Sequence, residues 1–288
     1  MSSHTNSAMS ACIACGSAAA NRHLYDVAGH AILACSVCGL GKTVVRPNFD
    51  PSAIYNETYF QGGQDDGYAD YKGSSEYLSL EFRHVLQEMA EQGVSCGKLF
   101  EFGCAYGFFL DEARKNFEVA GAELAEDAVL ECRRRELDVV RHVDDAFLQQ
   151  RGPFDAVVML DVIEHLTEPK AVLETIHKHM APGAMLTLST GDFGALSARL
   201  MRSHWRLMTP PQHLWFFTVD SMTRLLRAQG FKIVRVSHPA KRVPLSLILY
   251  QLARYLGAQK WLRGRQIPGS VPMNLFDAMR VFAIKVPD

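Results

Sequence analysis

The chain has 288 residues, enough for one medium domain and a small appendage. Hydrophobic residues make up 48% and the formal net charge is -1, which excludes long disorder and any strong global field for nucleic acid or an anionic membrane. No apolar run reaches transmembrane length, and Met1–Thr5 lack the charged and apolar regions of a secretory signal. A cytoplasmic protein with reduced thiols is therefore predicted, its seven cysteines serving as metal ligands and buried thiols rather than disulfides.

Residues 1–11 are small and polar and read as a frayed end. Cys12-x-x-Cys15 and Cys35-x-x-Cys38 follow, nineteen residues apart. That spacing predicts a four-thiolate zinc ribbon over residues 1–50, with Gly16 and Gly39 turning each knuckle. Four thiolates leave no open coordination position, so the zinc is expected to be structural. Cys96, Cys104 and Cys132 read as packing residues. A Gly- and Tyr-rich connector follows, carrying Tyr55, Tyr59, Tyr68 and Tyr71, and with the next helix it makes up residues 51–96. In that helix Leu78, Phe82, Val85 and Met89 share one face, and Gly93 stops it.

Residues 97–288 then alternate strand and helix. Strands are predicted at Lys98–Phe102, Phe117–Glu123, Phe154–Leu160, Ala184–Ser189, Phe231–Ser237 and Met279–Lys285. Helices are predicted at Gly107–Asn116, after the strand ending at Glu123 and through Arg135, at Pro169–Met180 and around Asp220–Leu226. The alternation predicts an α/β, doubly wound sheet with a crevice at the strand C-termini. An insertion at about 241–270 carries Leu245, Leu247, Ile248, Leu249, Leu252 and Leu256, flanked by Lys and Arg. It reads as a helical lid or dimer contact in preference to a membrane-surface helix.

The main chemical signal is Glu101-Phe102-Gly103-Cys104-Ala105-Tyr106-Gly107, an apolar strand entering a small-residue turn before a helix. Such a turn lets backbone approach a ligand closely. Glu123 ends the next strand, where an acid can accept both ribose hydroxyls; the alternative is a surface acid. The spacing differs from the G-x-G-x-x-G of dehydrogenases and suits a ligand without a pyrophosphate. Glu101-x-Gly103-x-Ala105-x-Gly107 resembles the first motif of class I S-adenosylmethionine-dependent methyltransferases, with Ala105 at the middle glycine. Pro153–Leu166 and Ala181–Leu188 are similar to that family's fourth strand with its exit loop, and its fifth strand.

The resemblance implies a seven-stranded Rossmann-like sheet in the order 3-2-1-4-5-7-6, with the seventh strand antiparallel. It implies S-adenosyl-L-methionine on Glu101, Phe102, Gly103, Cys104, Ala105, Gly107, Glu123, Leu124 and Asp161. Asp144 or Asp145 is placed near the adenine, or is a solvated loop acid. The ribbon-plus-methyltransferase arrangement resembles bacterial-type enzymes of secondary metabolism and sugar chemistry, whose post-fifth-strand segment is similar to Pro210–Thr218.

His213 is the expected general base, with His165 and Glu164 orienting substrate or cofactor. The alternatives are a core histidine packed on Trp215 or Phe217, and a helix-end acid with a capping imidazole. Asp161-x-x-Glu164-His165 is similar to the E-x-x-E-H segment of ubiquinone-type O-methyltransferases, which can bind a divalent ion. The leading expectation is methyl transfer to a small-molecule or saccharide acceptor. The runner-up is an RNA base methyltransferase using the ribbon, although Cys12–Arg46 holds only Arg22, Lys42 and Arg46 as strong cations. The acceptor and the oligomeric state are not legible.

Overall fold

The computed structural model describes residues 11–19, 21–50, 75–244 and 270–287. The expected N-terminal fraying, the connector tyrosines and the apolar helix of 245–265 fall largely or wholly outside the described residues. No helix among the described residues is long and apolar enough to cross a membrane.

The chain opens with three short strands, β1 (Asn21–Val27), β2 (His30–Cys35) and β3 (Gly41–Thr43), then α1 (Ser75–Glu91). Strand and helix next alternate: β4 (Gly97–Phe102), α2 (Phe108–Ala113), β5 (Phe117–Ala122), α3 (Glu126–Arg134), β6 (Asp138–Val140), α4 (Asp145–Arg151) and β7 (Phe154–Leu160). They continue through α5 (Pro169–His179), β8 (Met180–Gly191), α6 (Leu196–Met201), β9 (Trp215–Phe216), α7 (Val219–Ala228) and β10 (Phe231–Ser237). The paired strands β11 (Lys241–Pro244) and β12 (Ser270–Met273) bracket the insertion, and β13 (Ala278–Lys285) closes the chain.

Seven strands form one sheet, ordered β10-β13-β8-β7-β4-β5-β6. Counted in chain order within the sheet, this is the expected 3-2-1-4-5-7-6. β4 to β8 run parallel, and β13 lies antiparallel between β8 and β10. Side chains alternate across a strand, so neighbouring residues enter different layers. Leu99 and Val158 pack with Phe82, Val85 and Met89 of α1 and Phe109 of α2. Phe100 and Val157 pack on the other face, with Leu173 of α5 and Met222 and Leu225 of α7. β7 is buried on both faces, which is why it reads as a continuous apolar run. Burying each such Val, Leu or Phe contributes roughly 1.5–3 kcal/mol.

Several boundaries differ from expectation. α2 stops at Ala113, where the backbone N–H of Arg114 bonds Leu110, rather than running to Asn116. Pro182-Gly183 forms a bulge inside β8, because the register jumps from Phe154–Met180 to Ala156–Met185. Cys96 is exposed, not packed, whereas Cys104 and Cys132 are buried. The β1–β3 hairpin also recruits a distant strand: β3 pairs with β9, giving a second sheet β1-β2-β3-β9.

Candidate active site

In a doubly wound sheet the crevice opens where strand order reverses, here between β4 and β7. β4 ends in the turn Gly103–Gly107, whose tightness is set by left-handed backbone at Gly103 (φ 76), Ala105 (φ 46) and Gly107 (φ 74). A Cβ on Gly103 would sit 2.6 Å from Val162, the residue that follows the exit of β7. The two strand ends therefore abut, and the glycine is needed for that contact. Alanine, not glycine, occupies the middle position and accepts the left-handed conformation.

Glu101 is 3% exposed, and its Oε2 has no hydrogen-bond partner among the described residues. Burial, then Cys132 and Glu123, push its carboxyl well above the usual carboxylate range. A buried oxygen without a donor suits a ligand that brings its own amine or hydroxyl. Glu123 is 8% exposed and grips the loop itself. Its Oε2 accepts from Ala105 N–H (2.8 Å) and its Oε1 from Ala125 N–H (2.9 Å). Burial raises its pKa against the pull of those amides. The Leu124 amide also bonds the carboxylate, and the acceptor capacity that remains suits a ribose hydroxyl.

The other expected cofactor residues differ in placement. Phe102 is half-buried, Cys104 is buried, and Leu124 is exposed just after Glu123. Asp144 caps α4, accepting from Phe147 N–H at 2.8 Å. The Asp145 carboxylate is directed to His179 Nε2 (3.0 Å), at the far end of α5. Asp161 (φ 54) is fixed at the end of β7: its N–H donates to Ser189, and Ser189 Oγ donates to its Oδ1 at 2.9 Å.

Beyond β7 a helical turn, Ile163–His165, brings Glu164 and His165 to the crevice, and the segment before β9 brings His213. One carboxylate oxygen of Glu164 and one ring nitrogen each of His165 and His213 lie within 4.8 Å of one another. The two rings meet edge to face at 4.7 Å. His165 Nδ1 lies 2.9 Å from the Gln212 carbonyl, and His213 Nδ1 lies 2.8 Å from the Leu207 carbonyl. A carbonyl only accepts, so both Nδ1 atoms carry hydrogen; the His165 ring also engages the backbone of Asp161. Burial, then the charge of His165, push the His213 imidazole down to about 3. Burial also lowers His165. The structure brings these three residues together, and an imidazole as depressed as that of His213 is a weak proton acceptor at neutral pH.

The four cysteine sulfurs also converge within 4.8 Å. Cys12 and Cys38 sulfurs are 3.6 Å apart, and Cys15 and Cys35 sulfurs 3.7 Å. Although burial pushes the Cys35 thiol up, the amides of Cys38 and Val37 and the neighbouring Cys15 bring it down to about 7.

Some residues at the same rim escaped sequence reasoning. Asp192, just past β8, accepts from Gly194 N–H (2.9 Å) and pairs with His238 Nε2 (3.0 Å), just past β10. Asp277, 2% exposed, receives Trp205 Nε1–H and both arms of Arg206, which hold its carboxyl below the usual range despite burial. A histidine directly after a late strand was the available signal for His238; nothing local marks the others.

A family model described as "Methyltransferase domain" matches residues 75–236. The chain is similar to a ubiquinone biosynthesis O-methyltransferase from Psychrobacter cryohalolentis, 30% identical over 114 residues, or 36% of this chain and 44% of that protein. The relative named likewise from Idiomarina loihiensis is 30% identical over 101 residues, 32% of this chain and 42% of that protein. The chain thus spans less than half the length of these curated relatives. In fold it is similar to magnesium protoporphyrin IX methyltransferase from Synechocystis PCC 6803 with bound SAH, with TM-score 0.52, 16% identity, and coverage of 82% of this chain and 100% of that one. A SAM-dependent methyltransferase from Archaeoglobus fulgidus gives TM-score 0.51 at 16% identity, covering 75% of this chain and 100% of that one. The matched stretch runs from α1 to β10, more than half of the chain, and encloses both the cofactor turn and the Glu164–His165–His213 cluster: the chain belongs to the methyltransferase-domain family, with the class I S-adenosylmethionine-dependent fold.

Proposed function

We propose that the protein transfers a methyl group from S-adenosylmethionine to a hydroxyl of a small-molecule or saccharide acceptor, with Glu164, His165 and His213 holding a divalent cation at the acceptor side. The observation that carries this reading is the convergence of one Glu164 oxygen and one ring nitrogen from each histidine within 4.8 Å, with both rings oriented by backbone carbonyls. Metal-bound histidines commonly donate their other ring N–H in this way, which fixes the tautomer and leaves the ligating nitrogen unprotonated. Low basicity, which argues against His213 as general base, is compatible with ligation. A divalent cation bound there supplies Lewis acidity toward an acceptor hydroxyl.

The chain's own residues do the rest. Glu101 and Glu123 take the cofactor's polar groups, with Gly103, Ala105 and Gly107 shaping the turn and Leu124 beside it. Asp161, held by Ser189, acts electrostatically on both histidines of the cluster. Trp215 and Phe216, both buried, exclude water behind His213. The O-methyltransferase names of the relatives support a hydroxyl acceptor. An RNA acceptor lacks comparable support: of the hairpin's cations, Lys42 already lies over the Trp215 ring.

The four-cysteine hairpin is read as a structural zinc ribbon. Metal–sulfur bonds of ~2.3 Å in a tetrahedron place sulfurs ~3.8 Å apart, close to the 3.6 and 3.7 Å seen here.

The test is S-adenosylhomocysteine release from a panel of phenol, catechol and sugar acceptors, with Mg²⁺ or Mn²⁺ added or withheld. Turnover should require the ion and fall by about 10²-fold or more in His213→Ala and Glu164→Gln, with unchanged S-adenosylhomocysteine affinity. Ion-independent turnover that survives both substitutions would overturn the reading.

A further inference from the structure

The four-cysteine hairpin does not stand apart from the crevice. Its strand β3 lies between β2 and β9, with Gly41 opposite Phe216 and Lys42 opposite Trp215. A Cβ on Gly41 would sit 2.8 Å from Phe216, so the two strands touch backbone to side chain. Thr43 N–H donates to the Leu214 carbonyl at 2.9 Å, and Leu214 N–H donates to the Glu164 carbonyl at 2.8 Å. Leu214 thus joins the hairpin to the turn that carries Glu164 and His165.

Thr43 itself is 1% exposed, and its Oγ1 donates to the His213 carbonyl at 2.6 Å. The His213 ring is held separately, by the Leu207 carbonyl. Two anchors, one on backbone and one on ring, remove most of the freedom of that side chain. The hairpin's own geometry begins at the cysteines. Cys35 N–H donates to the Leu40 carbonyl at 2.9 Å, closing the knuckle immediately before β3. At the far end of the same segment Thr218 Oγ1 lies 3.3 Å from the Cys38 carbonyl.

We propose that Thr43 is a positioning residue for His213, and that the metal at Cys12, Cys15, Cys35 and Cys38 fixes the acceptor side of the crevice through β3. The proposal rests on His213 being a site residue, as read above, but does not require an ion beside it. The ribbon is then a working part of the catalytic unit. The cofactor turn, carried by β4 and β5, stays independent of it.

The test uses the full-length, zinc-loaded chain and the imidazole ¹⁵N–¹H spectrum. Wild type should show a slowly exchanging Nδ1–H resonance from His213. Thr43→Val, which keeps the shape and loses the donor, should shift that resonance and speed its exchange by about tenfold or more. Thr43→Ser, which keeps the hydroxyl, should restore it, and S-adenosylhomocysteine affinity should match wild type in both. Stripping the zinc with a chelator should lower amide protection at His213–Phe216 by about tenfold or more and leave Phe100–Gly103 unchanged. A wild-type ring resonance in Thr43→Val, or unchanged protection after verified zinc loss, overturns the proposal. If Thr43→Val does not fold, the serine variant and the stripped protein decide. Loss of the metal-assisted reading in the turnover assay leaves these spectra unaffected, so the two failures are separable.

Discussion

At the scale of single residues, Gly103 shows how a motif and its neighbours divide the work. The turn chemistry is local, so Glu101, Gly103 and Gly107 stand out from sequence alone; what presses on Gly103 is not local. The nearest obstacle to a side chain there is Val162, 2.6 Å from a built Cβ, in addition to the cost of φ 76 for a non-glycine residue. Gly103→Ala should therefore weaken S-adenosylhomocysteine binding, and Val162→Ala should restore part of the loss. A coupling of about 1 kcal/mol between the two is expected, with the backbone strain of roughly 1–2 kcal/mol unrelieved. Calorimetry on the four members of the cycle measures it, and strict additivity would show that Val162 is not the obstacle. The position of Glu123 at a strand end is legible in the sequence and suggests a ribose acceptor, but its bond to Ala105, eighteen residues away, is not legible there. Glu123→Ala should lower cofactor affinity by about 1–3 kcal/mol and also lower the melting temperature of the free protein, because two loop amides lose their acceptor. A lower melting temperature with unchanged affinity would leave Glu123 as a loop brace only.

At the scale of elements, the sheet was legible because strand and helix periods differ and because buried parallel strands are almost wholly apolar. β9 was not: two residues, Trp215 and Phe216, carry no period, and their partner β3 lies about 170 residues earlier, as the Thr43–His213 bond shows. The same distance hid the pairing of the hairpin with β9, since from cysteine spacing the hairpin reads as a small appendage. If the zinc reading holds, Cys35→Ser should lose the metal, and β1–β3 should become protease-sensitive, since ligand loss removes the folding energy of so small a unit. The damage should extend to 213–216 but stop short of β4 and β5, whose strand partners all lie within the seven-stranded sheet. S-adenosylhomocysteine affinity within about twofold of wild type, beside full loss of metal, is the expected pair of results. Full zinc retention in this variant would refute the ligand set.

At the scale of the whole molecule, the partial withdrawal of the two half-buried imidazoles from water makes folding sensitive to acid. The sequence places His165 and His213 near the crevice, but their burial depends on how the 207–213 segment folds back on the helical turn after β7, which no local pattern announces. The sign follows from linkage. The His213 imidazole takes a proton at 6.5 when solvated and at about 3 in the fold, so below 6.5 the unfolded chain binds a proton that the native state refuses. Stability should then be intact above 6.5 and decline as pH falls toward 3, with His165 acting in the same direction. Asp277, held below the usual carboxylate range by Arg206, adds its own loss at lower pH, so a falling curve alone does not identify the histidines. The comparison is between wild type and His213→Asn, followed by melting temperature in steps from pH ~7 down to ~4. The asparagine variant starts lower, because a packed ring is lost, but its curve should be flatter over that window. Parallel curves would mean that His213 is protonated in the native state, and the neutral-imidazole argument for metal ligation would fall with it.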